Sequence, residues 1–182
     1  MTRGAIGVVG LVALLFIAVG CGSSGSSGRS NEPTIAQSPS AAERSLRSDG
    51  FTKVTLRIRH ADGSIEVHCV WLADTEVERG RGLKEITDSS IGGGEAMAFL
   101  WVLDTTAAFW MKDTLLPLSI AWIDSAGAFV GSADMDPCPA TSSRCPVFPA
   151  FRPYRLAIEM AQGRLQDWGI GPDATITLAE AC

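Results

Sequence analysis

Val54, Leu56 and Ile58 alternate with Thr55, Arg57 and Arg59, and Ile65, Val67, Cys69 and Trp71 alternate in the same way a few residues later. A period of two marks a strand with one buried face. Between the two runs lies Ala61-Asp62-Gly63-Ser64, and Asp-Gly is a strong hairpin signal. An antiparallel pair is therefore expected at the start of the folded region. The alternation places Cys69 on the core-facing side with Ile65, Val67 and Trp71, and turns His68 away from it.

The same reading continues along the chain. Thr75 and Glu78 form a capping box that starts a short helix ending near Gly82. Residues 96–102 and 107–112 are apolar runs of strand length. Leu118, Ile120 and Trp122 alternate with Ser119, Ala121 and Ile123, and residues 124–127 turn this strand back into residues 128–132. A Pro- and Cys-rich loop follows, then a strand at 155–160, a short helix at 164–168 that Gly169 terminates, and a last strand at 175–178. Several connections are too short for crossovers. The expected fold is a strand-rich α+β domain with a mostly antiparallel sheet, a partly open β-barrel being one form of it, and two short helices.

The N-terminal region points to export. Arg3 is the one early charge, residues 4–20 carry none, and Ala18-Val19-Gly20 precede Cys21. This is the pattern of a signal peptide, and the cysteine directly after small residues resembles a bacterial lipobox. Residues 1–20 are expected to be removed and Cys21 to carry lipid, which holds a protein firmly once two or three acyl chains are attached. Residues 22–50 are rich in Ser and Gly without apolar periodicity, the composition of a flexible tether. A short helix at 41–47 is the exception that sequence allows. Residues 51–182 then make one domain.

The chain has a formal charge of −5, and loss of Arg3 takes it to −6. With no basic patch, nucleic acid is not an expected partner. Of five cysteines, assigning Cys21 to lipid leaves Cys69, Cys138, Cys145 and Cys182, an even set suited to an oxidising compartment. Cys138 and Cys145 share one Pro-rich loop and are expected to pair, leaving Cys69 for Cys182.

One string is far less generic. Phe109-Trp110-Met111-Lys112-Asp113-Thr114, then Leu116-Pro117-Leu118-Ser119-Ile120, then Ile123-Asp124 and Gly127, resembles the signature of the bacterial and archaeal family known as domain of unknown function 192. That family shows Phe-Trp-Met-Lys-Asn-Thr, Ile-Pro-Leu-Asp-Ile, and Phe-Ile-Asp with Gly. The likeness runs from about residue 65 to 178. Asp113 replaces the family's Asn, Ser119 its Asp after Pro-Leu, and Lys84 and Ile86 its Met and Arg. The resemblance implies a compact, mostly β domain, often exported, and supplies no reaction.

Candidate ligand-binding residues are Trp110, Lys112, Asp113, Arg79 and Glu159. Lys112 is either a ligand-contacting cation beside Trp110, on one face of a strand, or half of a structural ion pair. Glu159, within the apolar run 156–160, either faces outward or is buried against a cation, for which Lys112, Arg79 and Arg81 are candidates. The five tryptophans either pack the core or present faces to sugars.

Catalytic constellations are thin. The two histidines, His60 and His68, sit in no nucleophile motif. The six-residue gap between Cys138 and Cys145 matches no zinc pair, and Gly92-Gly93-Gly94 lacks the Lys and Ser/Thr of a phosphate loop. No catalytic residue, metal or cofactor is expected. The expectation is an exported protein anchored to the bacterial cell membrane through Cys21. It serves as a binding or accessory module for a cell-wall component or envelope protein. The alternative is a cofactor-independent enzyme using Lys112 and a carboxylate.

Overall fold

The computed structural model describes residues 38–182; the expected export signal, Cys21 and most of the Ser/Gly-rich segment lie outside the described residues. The expected hairpin is formed by β1 (Thr52–Arg59) and β2 (Ile65–Ala73), antiparallel with Leu56 opposite His68 and Val54 opposite Val70. Its turn holds Gly63 at φ +84° and is closed by Asp62, whose carboxylate accepts from the Ser64 amide at 2.8 Å.

The faces of β2 differ from expectation. Val54, Leu56, Ile58 and Val70 are buried together, and His68 belongs to their face, its ring stacked on Trp168 at 3.7 Å. On the opposite face Trp71 is fully buried, but Ile65 and Val67 are about half exposed and Cys69 is exposed. The reason is local cover. Helix α1 (Ala41–Ser48), capped by Ser40, buries Leu46 in the same core as Trp71, whose indole donates to the Ile91 carbonyl at 2.6 Å. Among the described residues nothing comparable covers this face at the turn end of the hairpin. The compact unit thus takes in residues from Gln37 onward, and the end of the Ser/Gly-rich segment is packed helix.

Beyond β2, the capping box is present at Thr75 and Glu78, opening α2 (Glu76–Arg81), which Gly82 caps. There follow β3 (Ala96–Thr105), β4 (Phe109–Trp110), β5 (Leu118–Ile123), β6 (Phe129–Met135), β7 (Val147–Phe148), β8 (Tyr154–Ala161) and β9 (Thr175–Ala181). Seven strands make one mixed sheet in the order β6-β5-β8-β3-β2-β1-β9, while β4 and β7 form a separate ribbon. The one parallel neighbour pair is β2–β3, whose connection through α2 is long enough for a crossover. The edge strands touch at a single bridge, Ala128 to Thr175, beside an Ile176 amide to Gly127 carbonyl bond of 2.8 Å. The sheet is curled but is not a closed barrel, and the class is α+β as expected.

Both faces of the central strands are covered, by two separate cores. One contains Leu56, Ile58, Ile123 and Ile158 under Leu165 and Trp168; the other contains Met97, Phe99, Ile120 and Trp122 with Leu46 and Met111. This is why β5 is buried along its whole length, Ser119, Ala121 and Ile123 included, although its sequence alternation reads as half-exposed.

Two local expectations change. Residues 164–168 form successive turns rather than a helix, with amides of Arg164, Asp167 and Gly169 donating to carbonyls three residues back. Five residues are too few to sustain helix nucleation, and the segment is held by Leu165 and Trp168 in the core. The 107–112 strand shrinks to Phe109–Trp110, because the chain turns at Met111 and Asp113 takes φ +63°.

Both disulfides follow the expected pairing. Cys138–Cys145 closes the Pro-rich loop, and Cys69–Cys182 joins β2 to the C-terminus across β1, with Cα–Cα distances of 5.8 and 5.9 Å.

Candidate functional site

Glu159 is the anomaly of the sheet. It lies mid-way along β8, opposite Met97 of β3 and Ile120 of β5, on the face whose core is Met97, Phe99, Ile120 and Trp122. It is 5% exposed. Burial is the sole cause pushing its carboxyl up to about 8. Among the described residues it forms no salt bridge and no cation opposes that rise, so neither the expected buried ion pair nor the expected outward orientation is found there.

What Glu159 meets instead is a cavity of about 480 Å3, walled by Phe99, Trp101, Phe109 and Trp110, with α2 along one side and Thr114 also in its lining. The aromatics brace one another: Phe109 stands edge-on to Phe99 at 5.1 Å, and Trp101 edge-on to Tyr154 at 5.2 Å. Tyr154 donates from its hydroxyl to the Ala107 carbonyl at 2.7 Å, tying the 107–110 wall to β8. Burial raises the Tyr154 hydroxyl pKa, and the neighbouring Glu159 raises it further, against Arg79.

The cations have distinct roles. Arg79, a predicted site residue, is at the cavity: its Nη1 donates to the Asp74 and Leu100 carbonyls at 2.5 and 2.8 Å, and its guanidinium lies over Trp101 at 5.0 Å. Arg81 is held by Asp49 at 2.9 Å and by the Lys84 carbonyl. Lys84 lines the cavity with its ammonium 5.8 Å from the Trp110 ring.

Trp110, a candidate ligand-binding residue, is in the cavity wall, but Lys112 is not its partner there. Lys112 donates to the Ala140 carbonyl at 3.0 Å and pairs with Asp113 at 3.6 Å, holding the Cys138–Cys145 loop. Asp113 is a backbone device. Its amide donates to the Cys138 carbonyl and its carbonyl accepts from the Glu85 amide, both at 2.9 Å. Asn and Asp are among the non-glycine residues most often found at such positive φ, which accounts for Asn in the signature and Asp here. The structure therefore brings Trp110, Arg79 and Glu159 together and sets Lys112 and Asp113 apart.

Lys84, Trp101, Phe109 and Thr114 join the site without having been singled out for it. Only the aromatic content of the 99–110 segment hinted at a wall; that α2 would lie along it was not visible in local pattern. Among the described residues no group of three or more His, Cys, Asp or Glu side chains is placed to hold a metal.

Residues 57–178 match the family DUF192, described as "Uncharacterized ACR". The chain belongs to the DUF192 family. The match includes Arg79, Glu159 and all four cavity aromatics. Two solved structures are similar to this DUF192 domain. A protein of unknown function from Novosphingobium aromaticivorans DSM 12444 is 25% identical with a TM-score of 0.60, covering 78% of this chain and 94% of that one. A Sinorhizobium meliloti 1021 protein, provisionally described as a transcription regulator, is 22% identical with a TM-score of 0.59, covering 70% and 95%; at that identity it shows the fold alone. No curated protein matches the sequence.

Proposed function

We propose that this DUF192 protein is an exported lipoprotein, held to the cell membrane through Cys21, that binds a small ligand at the cell envelope in the cavity over Glu159. The observation that carries the binding reading is a buried carboxyl, in no salt bridge among the described residues, opening into an aromatic-walled cavity. Its volume falls in the range of small-molecule sites, and perturbed carboxyls cluster at functional sites. Export is supported by the lipobox-like N-terminus and by two disulfides among the four remaining cysteines. Among the described residues no helix is long and apolar enough to cross a membrane.

Native mass spectrometry on protein extracted from its own membranes tests both parts. The expected result is a diacylglyceryl mass on Cys21, lost with membrane attachment in Cys21→Ala, and a retained small molecule that Trp110→Ala releases. A mature chain without lipid overturns the anchoring. A chain that is bare in every preparation overturns the ligand site.

A second reading is a cofactor-independent enzyme on an envelope substrate. It is favoured by the Glu159 pKa of about 8, since a general acid works best near ambient pH. Lys112 is committed to loop carbonyls, so the proton-transfer role falls to Glu159. Turnover of a trapped ligand by the parent chain and not by Glu159→Gln would establish it.

A further inference from the structure

We propose that the cavity over Glu159 selects a small carboxylate-bearing ligand with a flat apolar body, the carboxylate held by Arg79 and the Glu159 carboxyl and the body lying between the aromatic walls. The inference rests on reading the cavity as a ligand site and names the class of ligand.

The charge around the cavity is the first argument. Its lining carries Arg79, Arg81 and Lys84 against Glu76 and Glu159. Arg81 is neutralised by Asp49, and Glu159, with its carboxyl pushed up to about 8, is protonated at neutral pH. The cavity is thus locally positive on a chain of formal charge −5. Such an inversion attracts an anion to one place and repels it elsewhere.

Donor geometry is the second. Both protein bonds of Arg79 use Nη1, so Nε and Nη2 have no protein acceptor among the described residues. A protonated Glu159 carboxyl in the lining of the same cavity can donate one further bond, and O–H to carboxylate bonds are among the strong ones. Arg79 and Glu159 both line this one cavity, Arg79 with its guanidinium over Trp101. Phe99, Trp101, Phe109 and Trp110 supply apolar surface for the rest of the ligand.

A pH dependence follows. The titratable and charged groups that share the cavity lining with Glu159 are Glu76, Arg79 and Arg81 from α2, and Lys84, with Tyr154 near it on its own strand; β3 and β5 flank it with Met97 and Ile120. Ionisation of Glu159 removes the donor and places a second negative charge beside the ligand carboxylate. Affinity therefore falls about tenfold per pH unit above the Glu159 pKa.

The test is a titration of the full mature chain with benzoate and with benzamide, its uncharged counterpart, followed by the indole N–H resonances of Trp101 and Trp110. Benzoate is expected to bind at least tenfold more tightly than benzamide at pH 6.5, with the difference collapsing above pH 8. Glu159→Gln keeps a donor and should retain benzoate binding while losing the pH dependence. Lys84→Met, which breaks no ion pair among the described residues, should weaken benzoate more than benzamide. Benzamide binding as tightly as benzoate overturns the carboxylate class while leaving a ligand site in place. Silence of both indoles with both probes also overturns it, and the broader ligand-site reading then stands or falls on the native mass measurement alone.

Discussion

Glu159 sits directly opposite Ile120 in the β5–β8 ladder, with Met97 opposite it in the β3–β8 ladder. A carboxyl with an apolar residue on each side keeps its proton to about pH 8 in the folded chain, against an unfolded value of 4.5. Between those values the unfolded state has released a proton that the folded state retains. Stability therefore falls as pH rises through this interval, and levels off above pH 8. Glu159→Gln should remove the slope. It should stabilise the protein by up to about 5 kcal/mol above pH 8 and by little at pH 4. Urea unfolding at pH 4, 6 and 8.5 measures this, and parallel pH curves for the two proteins would contradict it.

Helix α1 is integral to the domain because Leu46 is fully buried beside Trp71. Leu46→Ala should cost about 3 kcal/mol, within the range for large-to-small core changes. A chain starting at residue 51 should lose at least as much. Unchanged unfolding midpoints for both would mean that the helix does not hold to the sheet.

The turn at Asp113 predicts a substitution order. With φ at +63°, Asp113→Asn should be neutral. Asp113→Val should cost about 2 kcal/mol, since a β-branched side chain is poorly tolerated there. Lys112→Met should cost less than about 1 kcal/mol, as a partly exposed pair does, and should leave binding in the cavity unchanged. Thermal unfolding with ligand titration checks all three; a Lys112→Met variant that folds but loses ligand would return this residue to the site.

The Cys69–Cys182 disulfide spans 113 residues, and closing so long a loop stabilises a chain by about 4–5 kcal/mol in the chain-entropy model. The Cys69→Ser/Cys182→Ser double variant should therefore unfold at markedly lower denaturant. The Cys138→Ser/Cys145→Ser variant, with a separation of only 7, should lose about 2–3 kcal/mol. Equal losses would show that strain or local packing, rather than loop length, sets the contribution.

Part of this architecture was legible in local pattern. The Asp62-Gly63 turn, the Thr75–Glu78 capping box and the strand at β8 each depend on neighbours a few residues away. They appear where the pattern puts them. The 164–168 segment and β4 were misread for one reason: short apolar runs carry too little local information to resist the tertiary contacts of Leu165, Trp168 and Met111.

The candidate site was half visible. Trp110, Arg79 and Glu159 were named from residue type and placement, but their convergence depends on α2 crossing beside β3, a relationship with no local signature. Lys112 drew notice from its place in the family string, and its actual partners, Ala140 and the Asp113 turn, lie in a loop whose path the string does not encode.

By itself the sequence determined the strand-rich α+β class, the antiparallel hairpin and the cysteine pairing, because periodicity, turn chemistry and loop membership are local or nearly so. Only the tertiary structure decided which face of each strand is covered. It alone showed that α1 docks over Trp71, and that Glu159, in no salt bridge among the described residues, lines an aromatic-walled cavity. Burial and charge pairing are set by what long-range packing brings alongside a residue, and no window along the chain contains those neighbours.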